Sequence, residues 1–309
     1  MNGWRETLDP DRLKMISILA ADCGVALETG RRLEELTSLG IGGEIRALLR
    51  PRSVASLASV LHEMHRERFA FRILGGGANV AGGPGPFETP VILTRTIRQE
   101  PVFAGAQVRA GGGFNLKRLV RACVSRGLGG LEWAEGIPGT VGGSIVMNAG
   151  ACGAEISHGI EEVKWLAADG SLRRRRVGKE DFSYRSSPFG REGVVVEGAF
   201  RLIEDDPRLL EERMKEFSKR RTRSQPPSER SAGCIFKNPP GDSAGRIIDA
   251  AGLKGLSVGG ASVSEIHANF VVNRGDATSE DVFALMDRIK ERVLKATGIV
   301  LEEEVVRWT

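Results

Sequence analysis

Two glycine runs set the tightest limit on how this chain can fold. Leu74 to Asn79 reads LGGGAN and follows a short apolar stretch; Gly136 to Gly143 reads GIPGTVGG. Glycine weakens helix and strand interiors and is favoured where backbone must take a positive φ or approach another group closely. Both runs therefore mark places where bare peptide is presented between regular elements. Backbone amides in such runs can converge on a phosphate, and the same runs can be plain tight turns; glycine content leaves both readings open. LGGGAN lacks the Lys-Ser/Thr ending of a P-loop and does not spell G-x-G-x-x-G before a helix, so the standard nucleotide motifs are disfavoured. On separate α/β stretches, the runs suggest one large phosphate-bearing ligand held between subdomains.

The rest of the composition is ordinary. Of 309 residues, 41% are hydrophobic, 27% are charged and 40 are glycine, which argues against disorder and for two or three globular domains. The net charge of +4 suits a polyanion or a small anionic substrate. Cys23, Cys123, Cys152 and Cys234 form no CxxC and no metal-ligand spacing, so reduced thiols in a cytoplasmic protein without a metal site are expected. The apolar run Met15 to Ala21 is too short for a signal peptide, and no stretch approaches the roughly 18 to 20 apolar residues of a membrane span.

Local patterning predicts mixed α and β structure. Ser53 caps a helix carrying Val54, Leu57, Leu61 and Met64. A second helix buries Leu116, Leu119, Val120 and Cys123 and stops at Gly127. Asp169-Gly170 reads as a type I′ hairpin turn ahead of Arg173 to Arg176, which alternate faces in a strand and so make no single basic surface. A charged helix begins near residue 205, another covers GDSAGRIIDAAG, and a last one starts at Thr278 with Asp281 in a capping box and ends at Gly298. IVLEEEVVRW reads as a final strand.

Several residues carry reactive or binding chemistry by type. Arg185, after Tyr184, could grip a carboxylate through its planar fork, or could be a surface arginine. His267 and Asn269 lie in an apolar run where a structural, hydrogen-bonded histidine is the commoner reading. Glu302 and Glu304 share a strand face opposite Glu303. Cys234 in SAGCIFKNP is either a small buried hydrophobe or a reactive thiol.

Taken in order, TSLGIGG, ILGGGAN, GIPGTVGGSIVMNAGACGAEI, YRSSPF, QPPSERSAGCIFKNP, AGRIIDAAGLKG, HANFVVN and LEEEV resemble the UDP-N-acetylenolpyruvoylglucosamine reductase family, from about residue 36 to 306. The resemblance implies an α+β protein with the FAD-binding fold of the vanillyl-alcohol oxidase type and a C-terminal substrate domain. The implied stretches are 1–95 and 96–204 for FAD, and 205–309 for substrate. It further implies bound FAD, NADPH as co-substrate and a UDP-sugar substrate. The enzyme would be a cytoplasmic monomer of peptidoglycan synthesis that needs neither nucleic acid nor membrane. Gly75, Gly76, Gly77, Asn79, Gly136, Pro138, Gly139, Thr140, Gly142 and Gly143 become FAD contacts. Arg185, Cys234 and Glu304 become the catalytic set, with Cys234 as proton donor; Tyr184, Lys237, Asn238, His267 and Asn269 become substrate contacts. The basic stretch Lys219, Arg220, Arg221 and Arg223 lies upstream, where it would attract a diphosphate. Ala78 stands where members commonly carry serine, and no inserted substrate-gripping tyrosine is present, which matches the shorter class of the family. Competing readings are another FAD oxidase or dehydrogenase of the same fold, and a basic nucleic-acid-binding protein.

Overall fold

The computed structural model describes residues 8–226 and 229–309. The start of the N-terminal arm, residues 1–7, and Pro227 and Ser228 of the QPPSERSAGCIFKNP motif lie outside the described residues. The chain forms two compact units, each built from separated segments: Met1–Gly30, Arg46–Gly76 and Glu88–Lys219 in the first, Arg31–Ile45, Gly77–Phe87 and Arg220–Thr309 in the second. Compactness thus follows a different division from the contiguous stretches 1–95, 96–204 and 205–309, which concern what each stretch binds.

The first unit holds two hydrophobic cores. In one, α1 (Pro10–Asp22) and α2 (Val54–Arg66) accompany a four-stranded sheet with spatial order Ala26–Glu28, Leu48–Arg50, Val91–Leu93, Arg72–Leu74. Ser53 caps α2 as expected, with Ser56 answering it reciprocally. Leu57, Leu61 and Met64 are buried with Ile16, Leu49 and Ile92; the apolar face of α2 has become a core wall, the usual source of helix stability in a folded protein.

In the other core, an antiparallel five-stranded sheet runs Leu172–Arg176, Ile160–Leu166, Val194–Arg201, Gln107–Gly111, Val102–Ala104. Its apolar residues are buried with those of α3 (Leu116–Val124), α4 (Val141–Val146) and α5 (Phe189–Glu192). Cys123 is fully buried on α3, and burial pushes its thiol up to about 12, so it acts as a small apolar side chain. Helix α6 (Pro207–Ser224) leads out of this unit.

The hairpin predicted at Asp169-Gly170 forms, but not through a type I′ turn. Strand pairing ends at Leu166 and Leu172, and five residues close the loop. Gly170 N donates to Ala167 O at 2.9 Å, Ala167 N donates to Ser171 O at 2.9 Å, and only Gly170, at φ 79°, is left-handed. The longer loop lets Asp169 accept from both Ser171 N and its hydroxyl, a local bond typical of aspartate in turns. The four arginines that follow occupy an edge strand. Arg173 and Arg175 pair with Trp165 and Val163, Arg174 with Lys164 and Arg176 with Glu162, so they alternate faces as expected. Arg175 stacks on the rings of Trp165 and Phe189, 5.9 and 5.1 Å from their centroids.

The second unit has its own antiparallel sheet, ordered Arg230–Cys234, Phe270–Asn273, Ala261–Val263, Ser257–Val258, packed with α7 (Ala244–Ala250) and α8 (Ser279–Thr297). Leu39, Ile41 and Ala81 from the early segments complete the core around Ile248, Met286 and Ile289. Helix α8 has the predicted Thr278–Asp281 capping box and closes at left-handed Gly298. The expected last strand is shorter than predicted. Only Val306–Trp308 is regular, paired in parallel with Val80–Gly82. Glu302 to Glu304 run beside residues 235–237 through single bonds and one isolated bridge, because their peptides serve two different neighbours. Among the described residues no helix is long and apolar enough to cross a membrane.

Gly170 supplies a test of this packing. A Cβ there would sit 2.3 Å from Ala58 O on α2, at φ +79°, whereas one on Gly105, at φ +55°, meets nothing within 4 Å. Gly170→Ala is expected to lower the unfolding free energy by about 3 kcal/mol in a denaturant titration and Gly105→Ala by only about 1 kcal/mol; equal losses would show that the helix does not constrain the hairpin.

Candidate functional site

The glycine runs meet within the first unit. Strand Arg72–Leu74 empties into Gly75 and Gly76, and a Cβ on Gly76 would lie 2.5 Å from the Cα of Gly139. A Cβ on Gly75 would lie 2.9 Å from Thr140 Oγ1. Behind them, Gly142 N donates to Gly112 O at 2.8 Å, Gly112 N to Val196 O at 2.7 Å, and Leu116 N to Gly139 O at 3.1 Å. Thr140 caps α4, accepting from Gly143 N at 3.3 Å, while Gly136 and Gly139 take φ of 82° and 117° on either side of Ile137-Pro138. The result is a surface of closely stacked peptides, in which a Cβ on Gly75, Gly76 or Gly142 would come within about 3.0 Å of a neighbour. Arg95 is half-buried beside it and donates to Gly76 O at 3.4 Å; burial, then the charge of Arg50, lowers its pKa. A backbone cradle with a cation at its rim fits a pyrophosphate. Gly112 and Arg95 belong to this arrangement and were not foreseen; the GGG of RAGGGF was the available signal for the former.

Gly77 and Asn79, from the same LGGGAN run, belong to the second unit. Gly77 takes φ 68° with Leu36 O at 2.1 Å from its would-be Cβ, and its carbonyl accepts from Ser38 N at 2.9 Å. This ties the end of the run to TSLGIGG.

Arg185 stands at the tip of a tight turn in the first unit. Ser183 and Ser186 exchange both backbone hydrogen bonds at 3.0 Å, and Arg185 between them is left-handed, φ 57°. Its Nη1 donates to Gly150 O at 3.0 Å, and its guanidinium lies 5.3 Å from the centroid of the exposed Tyr184 ring. A non-glycine residue held at positive φ costs free energy, and such positions gather at functional sites.

Cys234 and Glu304 are neighbours in the second unit's hydrogen-bond pattern. Between Ser231 and Cys234 the strand steps three residues while its partner steps from Val272 to Phe270, a bulge that contains left-handed Gly233. A bulge re-aims the side chain that follows it, and Cys234 is left partly exposed. Ile235 O then accepts from Glu304 N at 2.8 Å, and Lys237 N donates to Glu302 O at 2.8 Å. From the other side, Asn79 Nδ2 donates to Glu304 O at 3.0 Å and Val306 N donates to Asn79 O at 3.0 Å. The three glutamates separate by partner: Glu303 pairs with Lys290 and Arg307 at 2.8 Å each, Glu302 pairs with Lys237 at the surface, and Glu304 is partly buried.

The remaining predicted residues surround this junction. Asn269 is buried and clasps Phe236, accepting from its N–H at 3.0 Å and donating to its carbonyl at 2.8 Å. His267 leans on Phe270 at 4.9 Å, and its Nδ1 accepts from Asn269 N at 3.2 Å. Asn238 Oδ1 accepts from Ala244 N at 3.0 Å, ahead of α7. The side chains of Asn269 and His267 are thus engaged in shaping the loop beside Cys234. Among the described residues no group of three or more His, Cys, Asp or Glu could hold a metal ion.

Comparison with known proteins gives two family matches: residues 45–175 match an FAD binding domain, and residues 225–308 match the C-terminal domain of UDP-N-acetylenolpyruvoylglucosamine reductase. The reductase of that name from Moorella thermoacetica is 40% identical over 91% of this chain and 96% of its own length. That of Syntrophotalea carbinolica is 38% identical over 93% and 97%. The crystal structure of the Thermus caldophilus reductase superposes with a TM-score of 0.78 at 34% identity, covering 92% of this chain and all of that one.

The half-buried His267 gives this site a pH signature. Burial, chiefly, holds His267 below its ordinary 6.5. As pH falls through about 6.5 the unfolded chain takes up the proton before the folded one, so the neutral ring's contribution to stability, present above that pH, is lost on acidification. Wild type should therefore lose stability relative to His267→Gln between about pH 7.5 and 5 in parallel denaturant titrations; a constant difference would place the ring in solvent.

Proposed function

We propose that this chain, which belongs to the UDP-N-acetylenolpyruvoylglucosamine reductase family, reduces UDP-N-acetylglucosamine enolpyruvate to UDP-N-acetylmuramate with electrons from NADPH. It is an FAD-dependent oxidoreductase of peptidoglycan synthesis. The observation that carries the reading is the junction at Ile235: one peptide links the strand of Cys234 to the main chain of Glu304.

FAD, when bound, supplies the hydride that the enolpyruvyl β-carbon receives. The Gly75–Gly76 and Gly136–Gly143 segments fit its pyrophosphate, since their peptides are bare and Arg95 lies at the edge. We read residues 1–95 and 96–204 as the cofactor-holding stretches and 205–309 as the substrate-holding stretch. Hydride arrival at the β-carbon places negative charge on the α-carbon and its carboxylate. Arg185 stabilises that charge more as it develops than before, and its pinned guanidinium needs little reorganisation to do so. Cys234 gives its thiol proton to the α-carbon, and solvent restores the proton to the resulting thiolate. With an ordinary pKa of about 8.5 a thiol is mostly protonated at neutral pH and is a far stronger acid than an alkyl hydroxyl. Glu304 serves as the electrostatic partner of this transfer, while Tyr184, Lys237 and Asn238 bind the UDP-sugar.

Reconstitution with FAD followed by rapid mixing tests the reading. The protein should acquire a flavin absorption band, bleach with NADPH and recover it with the enolpyruvyl substrate; no band after reconstitution would end the proposal. Cys234→Ala should leave reduction by NADPH close to wild type while slowing re-oxidation by about 100-fold or more, and Cys234→Ser should keep much more activity than the alanine variant. An equal fall in both half-reactions would remove Cys234 from the proton transfer.

A further inference from the structure

Asn148 follows α4 in the first unit, and nothing in the chemistry above uses it. It is 1% exposed and left-handed at φ 40°. Its amide is fully engaged as a donor: Nδ2 gives one hydrogen bond to Glu155 Oε2 at 2.8 Å and another to Ser183 O at 3.1 Å, while Oδ1 accepts from Ser157 N at 3.1 Å.

Both bonds from Nδ2 lead to Arg185. Ser183 is the first residue of the turn that holds Arg185 left-handed, and its carbonyl accepts from Ser186 N as well as from Asn148. Glu155 pairs across a short antiparallel ladder with Gly150, whose carbonyl accepts from Arg185 Nη1. There is no room for a side chain at that point: a Cβ on Gly150 would lie 2.9 Å from Glu155 Cγ and 3.1 Å from Arg185 Nη1. One buried amide therefore restrains the arginine's backbone through Ser183 and its guanidinium through Glu155 and Gly150. The same left-handed residue directly follows Met147, the C-cap of the helix that Thr140 caps at the glycine cradle. A helix rises about 1.5 Å per residue, so α4 is a short rigid strut between the cradle and the turn.

We propose that Asn148 is a positioning residue for Arg185, setting the guanidinium at a fixed place relative to the cofactor cradle; this rests on the reading that Arg185 engages the substrate carboxylate. Glycine takes φ 40° without strain, so Asn148→Gly removes the amide and leaves the backbone conformation accessible. The holoenzyme variant should bind FAD and be reduced by NADPH within about twofold of wild type. Its re-oxidation by UDP-N-acetylglucosamine enolpyruvate should slow by about 10- to 100-fold, as expected when a reacting group is misplaced by about an ångström. Because Asn148 acts through Arg185, adding Asn148→Gly to Arg185→Ala should cause little further loss. The proposal is overturned if Asn148→Gly slows both half-reactions equally, or if its full factor persists in the Arg185→Ala background. Should Arg185→Ala alone leave re-oxidation intact, the role of Arg185 itself is wrong, and Asn148 falls with it. If Asn148→Gly does not fold, Glu155→Gln takes its place: loss of the acceptor's charge should slow re-oxidation selectively by about threefold, and an unselective or absent effect counts against the proposal.

Discussion

The first unit turns on a contact in which no side chain takes part. Gly76 and Gly139 approach so closely that a single methyl group on Gly76 would overlap the Gly139 backbone. That approach seats the end of the Arg72–Leu74 strand against the start of α4. The hydrogen bonds from Gly142 to Gly112 and from Leu116 to Gly139 then fix α4 and α3 against the large sheet. This backbone contact adds to a second link between the two hydrophobic cores: the large sheet buries Val163, Trp165 and Val195 in one and Leu166, Val194 and Val196 in the other. Steric exclusion works here in place of attraction, since bare backbone is retained where any larger residue would force the segments apart.

The second unit is organised around a polar junction. Ile235 O and Asn79 hold the two sides of the Glu304 peptide, while Asn269 clasps the next residue along, Phe236. An amide that both donates and accepts across one peptide mimics a strand partner, and so keeps the backbone saturated where the regular ladder stops. The functional consequence is that residues far apart in the chain, such as Asn79 and Glu304, bear on the same few peptides.

What was legible in the sequence follows from the range of the forces involved. Helices α2 and α8 could be placed with their caps, and the buried face of α3 could be read, because capping and apolar spacing are local; α3 itself ends at Val124 with Ser125 as its cap, short of the expected Gly127. The family and its FAD-binding fold were legible because glycine runs and short motifs record close approaches that few residues satisfy. The Asp169-Gly170 loop was misread because the competing aspartate–serine bond lengthens the turn. The last strand was overestimated because alternation describes one partner, and Glu302 to Glu304 have several. Glu303 and Glu302 are identical in type to Glu304, and only tertiary placement gives one to Lys290 and Arg307 and another to Lys237. Asn148 was passed over for a related reason: its value lies in three bonds to residues 155, 157 and 183, and no spacing announces them.

The arginines of the Leu172–Arg176 strand have a meaning that nucleic-acid binding does not capture. That strand ends its sheet, with one side of its backbone paired to Ile160–Leu166 and the other left facing outward. An open strand edge is a template on which a second copy could add its own edge. Here such an addition would bring the four arginines Arg173 to Arg176 against those of the second copy, with Arg175 already committed to Trp165 and Phe189. Like charges along an exposed edge disfavour such an addition, one of the ways in which native sheets keep their open edges from pairing.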